Sequence, residues 1–260
     1  MNQVLLEFLS QPLWVFMTVL ARISPPLMLV PPLRSSSVPM RVRALFAIAV
    51  AAILTPMTFA GARPMPSDLL HLGIAMAGEV LLGMLLGSII VLAIASLQIA
   101  GQTVGHLAGF DIAASVDPGS DEQMPIVSNL LGLVAMAFLL LLGGHRELLS
   151  ACLESFEHYP AGGVVFESSW LVEYEHVLRH TFVVGIRAAA PLATALLLAN
   201  VVTGLLARTL PQLNVLAIGF NINAMALLVL LFMSVGGVTW VFQQELATWV
   251  DSCHRVASES

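Results

Sequence analysis

The sequence predicts an all-α integral membrane protein, because its composition excludes a water-soluble domain. Hydrophobic residues make up 58% of the 260 residues, and charged residues only 10%. A soluble domain carries about 25% charged residues, so this chain has too little polar surface to cover a core. Apolar runs also recur along its whole length. We therefore expect a single membrane unit over residues 1–260 and not a soluble enzyme.

Six long apolar runs define the predicted helices. A bilayer core about 30 Å thick needs roughly 20 helical residues, and the second and fourth runs fit this as single spans. The third, fifth and sixth are longer, so we expect them to tilt, break or extend beyond the lipid inside a protein assembly. In chain order the runs are 13–33, 44–60, 69–100, 126–144, 177–206 and 213–242.

Prolines interrupt three of these runs. The first contains the pairs Pro25-Pro26 and Pro31-Pro32, and the second and fifth contain Pro56 and Pro191. Each proline removes a backbone donor and kinks or ends a helix. Such backbone is tolerated at membrane depth only where protein or a water-filled cavity covers it. The pattern favours proline-kinked helical hairpins packed against other subunits over isolated spans with ordinary kinks.

Three charged residues, Arg22, Glu79 and Arg187, lie inside apolar runs. Each would cost about 2.5–3.5 kcal/mol at the centre of a lipid-facing helix. We therefore predict that they are buried charges shielded by protein, or that they face water. For each residue a structural ion pair is a more common explanation than a transport role, and the sequence contains no series of carboxylates and histidines typical of a proton relay.

Glycines at helical spacing predict close helix contacts. Gly83 and Gly87 form one GxxxG pattern, and Gly101, Gly105 and Gly109 follow at successive intervals of four. On a helix this spacing places small residues on one face, where a neighbouring backbone can approach closely. We expect Gly83, Gly87 and Gly101 to pack against other helices.

A polar segment with four carboxylates follows the glycines, from Phe110 to Glu122. Asp117-Pro118-Gly119 within it is typical of a turn. The ligand spacing of an EF-hand is absent, so a solvated loop is a better interpretation than a calcium site. A loop facing the lumen of a channel is a third interpretation.

The sequence gives no indication of catalysis or of a cofactor. His145 and His158 lack a third ligand at metal spacing, and the two cysteines are far apart. The chain contains no lysine, so no P-loop can form and ATP hydrolysis is excluded. Clustered positive charge is also scarce, which argues against a nucleic-acid partner.

The last third predicts a helical hairpin. Arg208 and Pro211 lie in the short connection between the fifth and sixth runs. Asn221 and Asn223 then enter an apolar helix, where we expect interhelical hydrogen bonds.

Upstream, the region 145–176 is polar, and its first half predicts an amphipathic helix with apolar residues at Leu148, Leu149, Cys152, Leu153 and Phe156.

Together these motifs resemble one family over nearly the whole chain. The C-terminal set resembles the signature of the flagellar export-gate family FliR, whose virulence-system counterpart is SctT. It comprises Asn200, Gly204, Arg208, Pro211-Gln212-Leu213-Asn214-Val215 and Ile218-Gly219-Phe220. The upstream motifs follow in the family's order: Gly78-Glu79 with Gly83 and Gly87, Ala100-Gly101 with Gly105, Asp117-Pro118, Gly144-His145, and Ser155-Phe156 with Pro160.

This resemblance implies a subunit of the type III export gate in the bacterial inner membrane, at the flagellar basal body. It implies partners in FliP-like and FliQ-like gate subunits and in FlhB-like and FlhA-like export proteins. It also implies a FliP-like part over about 1–176 and a FliQ-like hairpin over about 177–260. Pro211, Asn214 and Gly219 are then expected at helix or subunit contacts.

The resemblance further implies that a loop plugs the closed channel, through which unfolded flagellar proteins pass. By position this loop is about 106–122, with Gly105, Gly109, Phe110, Asp117 and Pro118 as its candidate residues. Three alternatives stay open: the injectisome version of the subunit, a six-helix secondary transporter and, more remotely, an intramembrane enzyme. The transporter is disfavoured because no internal repeat is evident.

Overall fold

The computed structural model describes residues 2–30, 38–109, 126–209 and 215–258. Within these ranges every regular element is helical, which confirms the predicted fold class. A short 3₁₀ turn, Phe59–Gly61, follows the second helix. The helices are α1 (Asn2–Leu29), α2 (Met40–Thr58), α3 (Leu69–Ala108), α4 (Ile126–Leu141), α5 (Gly144–His158), α6 (Ser168–Thr209) and α7 (Val215–Ala257).

Five of the described helices are long and apolar enough to cross a membrane, and α4 with α5 would make a sixth span if the broken pair counts as one. The fourth apolar run is therefore not the single span that its length predicted. Its helix α4 has only 16 residues. The chain breaks after it at Gly143, whose φ of +80° is incompatible with a continuing right-handed helix.

Several helices extend beyond the apolar runs that predicted them. α3 continues to Ala108, α6 begins at Ser168, and α7 ends at Ala257. The predicted boundary at 176/177 consequently falls inside α6. The apolar runs did not predict these ends because the residues there are polar. For example, Glu173 near the start of α6 accepts a hydrogen bond from Arg255 near the end of α7, at 2.8 Å.

The prolines do not end the helices that contain them. α1 remains helical through Pro12, Pro25 and Pro26, and α2 and α6 do so through Pro56 and Pro191. Of the two effects predicted for Pro25, Pro26, Pro56 and Pro191, kinking or ending a helix, the structure excludes the ending of the helix at these four positions. Tertiary packing accounts for α1, because its side chains form much of a buried core. Pro31 and Pro32 lie outside the described residues.

The chain divides into two compact units. The first comprises Met1–Leu92, Leu142–Leu178 and Ala247–Ser260, and the second comprises Ala93–Leu141 and Arg179–Leu246. In the first unit α1 packs against α2 and α5. The core there contains Trp14, Val15, Val19, Ile23, Leu27, Ala47, Ala51, Phe156 and Ala161. In the second unit α4 buries Val127, Leu131, Ala135 and Leu139.

Large apolar surfaces stay uncovered in the part of the chain that the structure describes. In α2 only Ala47 and Ala51 are buried, whereas Leu45, Ile53 and Met57 are at least 66% exposed. Phe232 and Met233 of α7 are 85% and 76% exposed. Exposed apolar area of this extent marks contact with lipid or with other chains.

Candidate functional site

A buried ion pair joins α1 to α3 in the first unit. Arg22 Nε donates to Glu79 Oε2 at 2.6 Å, and both side chains are fully buried. The two residues are 57 positions apart in the chain. The structure therefore shields these two charges, predicted to be buried, by pairing them with each other inside the protein.

The remaining donors of the Arg22 guanidinium bind the end of α5. Nη1 donates to the carbonyl of Ser155 at 2.9 Å and to its hydroxyl at 3.2 Å, and Nη2 donates to the carbonyl of Tyr159 at 2.8 Å. The guanidinium also lies 4.0 Å from the centre of the Phe156 ring, in a cation–π contact. The planar fork of arginine makes such simultaneous contacts possible.

The second oxygen of Glu79 binds the loop that follows α5. Glu79 Oε1 accepts the backbone N–H of Gly162 at 2.7 Å. Gly162 has a φ of +79°, in the left-handed region that glycine adopts without steric cost. The Arg22 cluster, which we define as Arg22, Glu79, Ser155, Tyr159 and Gly162, thus joins α1, α3, α5 and this loop.

All charges of the Arg22 cluster are paired, so its chemistry is structural. A buried ion pair is stable only where good geometry and further hydrogen bonds compensate for lost hydration. Here both oxygens of Glu79 and all three nitrogens of the guanidinium have partners. Among the described residues no group of three or more metal-ligating side chains is brought together.

Two glycines explain how the pair can form. Gly83 and Gly87 follow Glu79 at intervals of four, so the three share one face of α3. A Cβ added at Gly83 would lie 2.1 Å from the carbonyl oxygen of Arg22, and one at Gly87 would lie 2.7 Å from Pro26 Cα. The missing side chains let α3 approach the α1 backbone and bring Glu79 within reach of Arg22.

Gly101 makes an equally close contact in the second unit. A Cβ there would lie 2.7 Å from Ser128 Cα in α4. The hydroxyl of Ser128 donates to the carbonyl of Gln98 in α3 at 3.0 Å. Gly105, one turn further along α3, is also buried.

The end of α3 is held by α6. Gly109 follows the last helical residue with a φ of +83°, as is common after a helix C-terminus. Asn200 Nδ2 in α6 donates to the carbonyl of Leu107 at 3.0 Å. Asn223 Nδ2 in α7 donates to Asn200 Oδ1 at 2.5 Å, so an interhelical hydrogen bond expected in this region is present. Asn221 is exposed.

Several predicted site residues lie outside the described part of the chain. Phe110, Asp117 and Pro118 of the predicted plug belong to this group, as do Pro211 and Asn214. Gly219 lies in α7, and no atom approaches within 4 Å of the Cβ position there. Gly219 therefore makes no close helix contact with the part of the chain that the structure describes.

The structure corrects the expectation that Arg187 is buried. Its side chain is 63% exposed, and Nη1 lies 3.0 Å from Glu245 Oε1. His180 Nε2 lies 3.4 Å from the other oxygen of Glu245. Arg187 of α6 therefore lies at the surface of the second unit, where it pairs with Glu245 of α7.

Sequence reasoning missed the partners of Arg22. Ser155, Tyr159 and Gly162 are uncharged, and Arg22 uses two backbone carbonyls that no side-chain pattern reports. The available signal was the motif Ser155-Phe156 with Pro160, together with the following glycines. The predicted amphipathic helix is present as α5. Leu148, Cys152 and Phe156 are buried in it, whereas Leu149 and Leu153 are 38% and 40% exposed.

The long apolar helices, the shielded ion pair and the uncovered apolar faces define an α-helical membrane protein built to contact lipid or other chains. The chain matches the family described as bacterial export proteins, family 1, over residues 13–249, and it belongs to that family.

Relatives agree with this assignment and with the FliR resemblance. The chain is 26% identical to the flagellar biosynthetic protein FliR of Caulobacter vibrioides over 92% of this chain and 95% of that protein. It is 32% identical to FliR of Escherichia coli over 84% of this chain and 81% of that protein. It is also 26% identical to the Yop proteins translocation protein T of Yersinia pestis over 60% of this chain and 61% of that protein. The chain is therefore a membrane component of the flagellar export apparatus.

Proposed function

We propose that this chain is a core subunit of the flagellar type III export gate in the inner membrane. It helps to form the channel through which unfolded flagellar proteins leave the cell. The observation that carries the proposal is the family match, which extends over residues 13–249 and so includes the Arg22 cluster, the glycine contacts and the predicted plug segment.

The proposed neighbours are FliP-like and FliQ-like subunits, with FlhB-like and FlhA-like proteins in the wider apparatus. Support comes from the apolar faces that none of the described helices covers, above all on α2. We propose a FliP-like part over about 1–176 and a FliQ-like hairpin after it. Because α6 begins at Ser168, the helical hairpin of α6 and α7 starts a few residues earlier than the sequence boundary.

We further propose that the segment after α3, residues 109–122, plugs the closed channel. The predicted loop began at about residue 106, but residues 106–108 form the last turn of α3. The position of Gly109 supports this, because its positive φ ends α3 just before a segment with four carboxylates. Such a segment is too polar to lie in lipid, whereas an aqueous lumen accommodates it. The mechanism is passive: the loop moves aside, other components supply energy, and this chain catalyses no reaction.

Two loop variants test the plug in the assembled gate, co-expressed with the FliP-like and FliQ-like subunits. One deletes residues 110–122 and the other replaces the same residues with a glycine–serine linker of equal length. We expect both to raise ion leakage through the closed gate. Co-purification of the partner subunits shows that the gate still assembles. Unchanged membrane permeability in assembled gates would reject the plug.

The similarity to the Yersinia pestis translocation protein favours one second candidate, an injectisome export-gate subunit. Complementation distinguishes the two. The chain, expressed with its own gate partners, should restore flagellar protein secretion to a strain that lacks the flagellar gate genes. Restored secretion only in a strain that lacks the injectisome gate genes would favour the second candidate.

A further inference from the structure

The C-terminal end of α3 contains carbonyl groups that no helical N–H can satisfy. Every helix leaves its last four carbonyls without intrahelical partners. In α3 the N–H of Gly109 turns back to the carbonyl of His106 at 3.0 Å. The carbonyl of Leu107 instead accepts a hydrogen bond from a side chain 93 residues away, Asn200 of α6. A tertiary contact therefore caps the root of the proposed plug segment.

This cap fixes the orientation of two amides. A carbonyl can only accept, so Asn200 must present its amino group to Leu107. Its oxygen then accepts from Asn223 Nδ2 at 2.5 Å, so Asn223 must also present its amino group. Reversing either amide would place two acceptors or two donors opposite each other. The order Asn223 to Asn200 to Leu107 is thus directional and connects α7 to α6 and α6 to α3.

The two amides lie where water cannot readily replace their partners. Asn223 is 8% exposed, and Asn200 is half-buried among apolar helices. A buried amide that loses its partner incurs the full desolvation penalty of that group. Asn223 Oδ1 is itself buried without a hydrogen bond among the described residues. Displacing the end of α3 from α6 would leave further buried polar groups unpaired, so the docked position is strongly preferred.

We propose that Asn200 and Asn223 form an amide latch that docks the end of α3 on α6 and α7 and thereby holds the gate closed. This inference rests on the proposed plug function, which it deepens by naming what keeps the plug segment in place. Opening then requires the Asn200–Leu107 hydrogen bond to break, which links loop release to movement of the α6–α7 hairpin. Asn200 and Asn223 are positioning residues, because they act through the root of the segment and not on the substrate.

Substitutions of similar size test the amide latch in the assembled gate. Asn200→Leu removes both hydrogen bonds, and Asn200→Asp, when ionised, keeps the shape but cannot donate to the Leu107 carbonyl. Asn223→Leu removes only the second bond. We expect closed-gate ion leakage to rise about 3- to 15-fold in both Asn200 variants, the range that an interhelical hydrogen bond in a membrane supplies. Asn223→Leu should have a smaller effect.

Thr194→Val is the matched control on the same helix. Among the described residues its hydroxyl bonds to carbonyls of α6 itself, those of Ala190 and Pro191, at 3.0 Å each. We expect this variant to leak no more than the unmodified gate. Leakage that rises equally in Thr194→Val and Asn200→Leu would overturn the amide latch, because it would reflect a general disturbance of α6.

A second measurement separates the amide latch from the plug. Spin labels on cysteines introduced at Gln102 of α3 and Met225 of α7 report the docking of α3, since both positions are exposed and the native cysteines are buried. We expect one narrow distance distribution, broadened by Asn200→Leu and unaltered by Thr194→Val. An unaltered distribution in Asn200→Leu overturns the latch.

The loop deletion completes the distinction. If deleting 110–122, which keeps the Leu107 carbonyl, causes leakage while Asn200→Leu broadens the distances without leakage, the plug stands and the gating role of the latch is wrong. If the deletion causes no leakage, the plug proposal fails, and holding the gate closed fails with it. The distance distributions then still decide whether the two amides dock α3.

Discussion

Arg22 Nε lies 2.6 Å from Glu79 Oε2 in a position fully closed to solvent, although the two residues are 57 positions apart. They meet because Gly83, one helical turn beyond Glu79, lets α3 touch the backbone of α1 at Arg22 itself. The register of two helices and the pairing of two buried charges are therefore one feature.

Removing the charge of Glu79 should destabilise the protein strongly. Glu79→Gln keeps the shape but leaves the Arg22 guanidinium buried without a counter-charge, which typically costs about 3–5 kcal/mol. The same substitution at Glu245 is the control, because its partner Arg187 is 63% exposed and such surface pairs contribute about 0–1 kcal/mol. Thermal unfolding of the purified membrane complex measures both. Equal melting temperatures for the two variants would contradict the structural role of the Arg22 cluster.

A methyl group at Gly83 should separate α3 from α1. The Cβ of Gly83→Ala would lie 2.1 Å from the Arg22 carbonyl oxygen, so the helices must shift, and overpacking of this kind costs about 1–3 kcal/mol. Gly73→Ala, in the same helix with no atom within 4 Å, should be neutral or stabilising by up to about 1 kcal/mol. Chemical denaturation of the two variants tests the difference. If the Gly83→Ala and Gly73→Ala variants had the same free energy of unfolding, backbone contact at Gly83 would be contradicted.

Gly162→Ala should weaken the Arg22 cluster from its other side. The residue has a φ of +79°, where a Cβ costs about 1–2 kcal/mol, and the new methyl would lie 3.0 Å from Trp14 Nε1. Gly61→Ala is the control, since nothing lies within 4 Å of its Cβ position and its φ is not positive. We expect faster proteolysis of the loop after α5 in Gly162→Ala only. Identical digestion rates would speak against a structural role for this conformation.

A charge on the uncovered face of α2 should impair insertion or assembly. Ile53 is 67% exposed within the chain, and Ile53→Arg at the centre of an apolar helix costs about 2.5–3.5 kcal/mol in lipid. Met65→Arg, in the connection before α3, is the control at 45% exposure. The amount of chain in the membrane fraction, and of partner subunits purified with it, provides the measurement. Normal yields for Ile53→Arg would mean that this face contacts water.

Local sequence patterns predicted the helical class and the places where helices approach closely. Apolar runs predict helices because each run must satisfy its own backbone in lipid. Gly83, Gly87 and Gly101 were identifiable because their spacing repeats along one helix face. The positions of the helix ends were less predictable: the polar first turns of α6 and the polar last turns of α7 are helical although they lack the apolar signal.

By itself, the sequence determined that this is an apolar helical membrane protein, that Arg22 and Glu79 need protein partners, and that α3 carries a face of small residues. Only the tertiary structure decided that these two charges pair with each other, that Arg187 stays exposed, and that Asn200 caps α3 at Leu107. The reason is physical. Helix formation and hydrophobicity depend on neighbours in the chain, whereas the choice of a hydrogen-bonding partner depends on which distant backbones packing brings within about 3 Å.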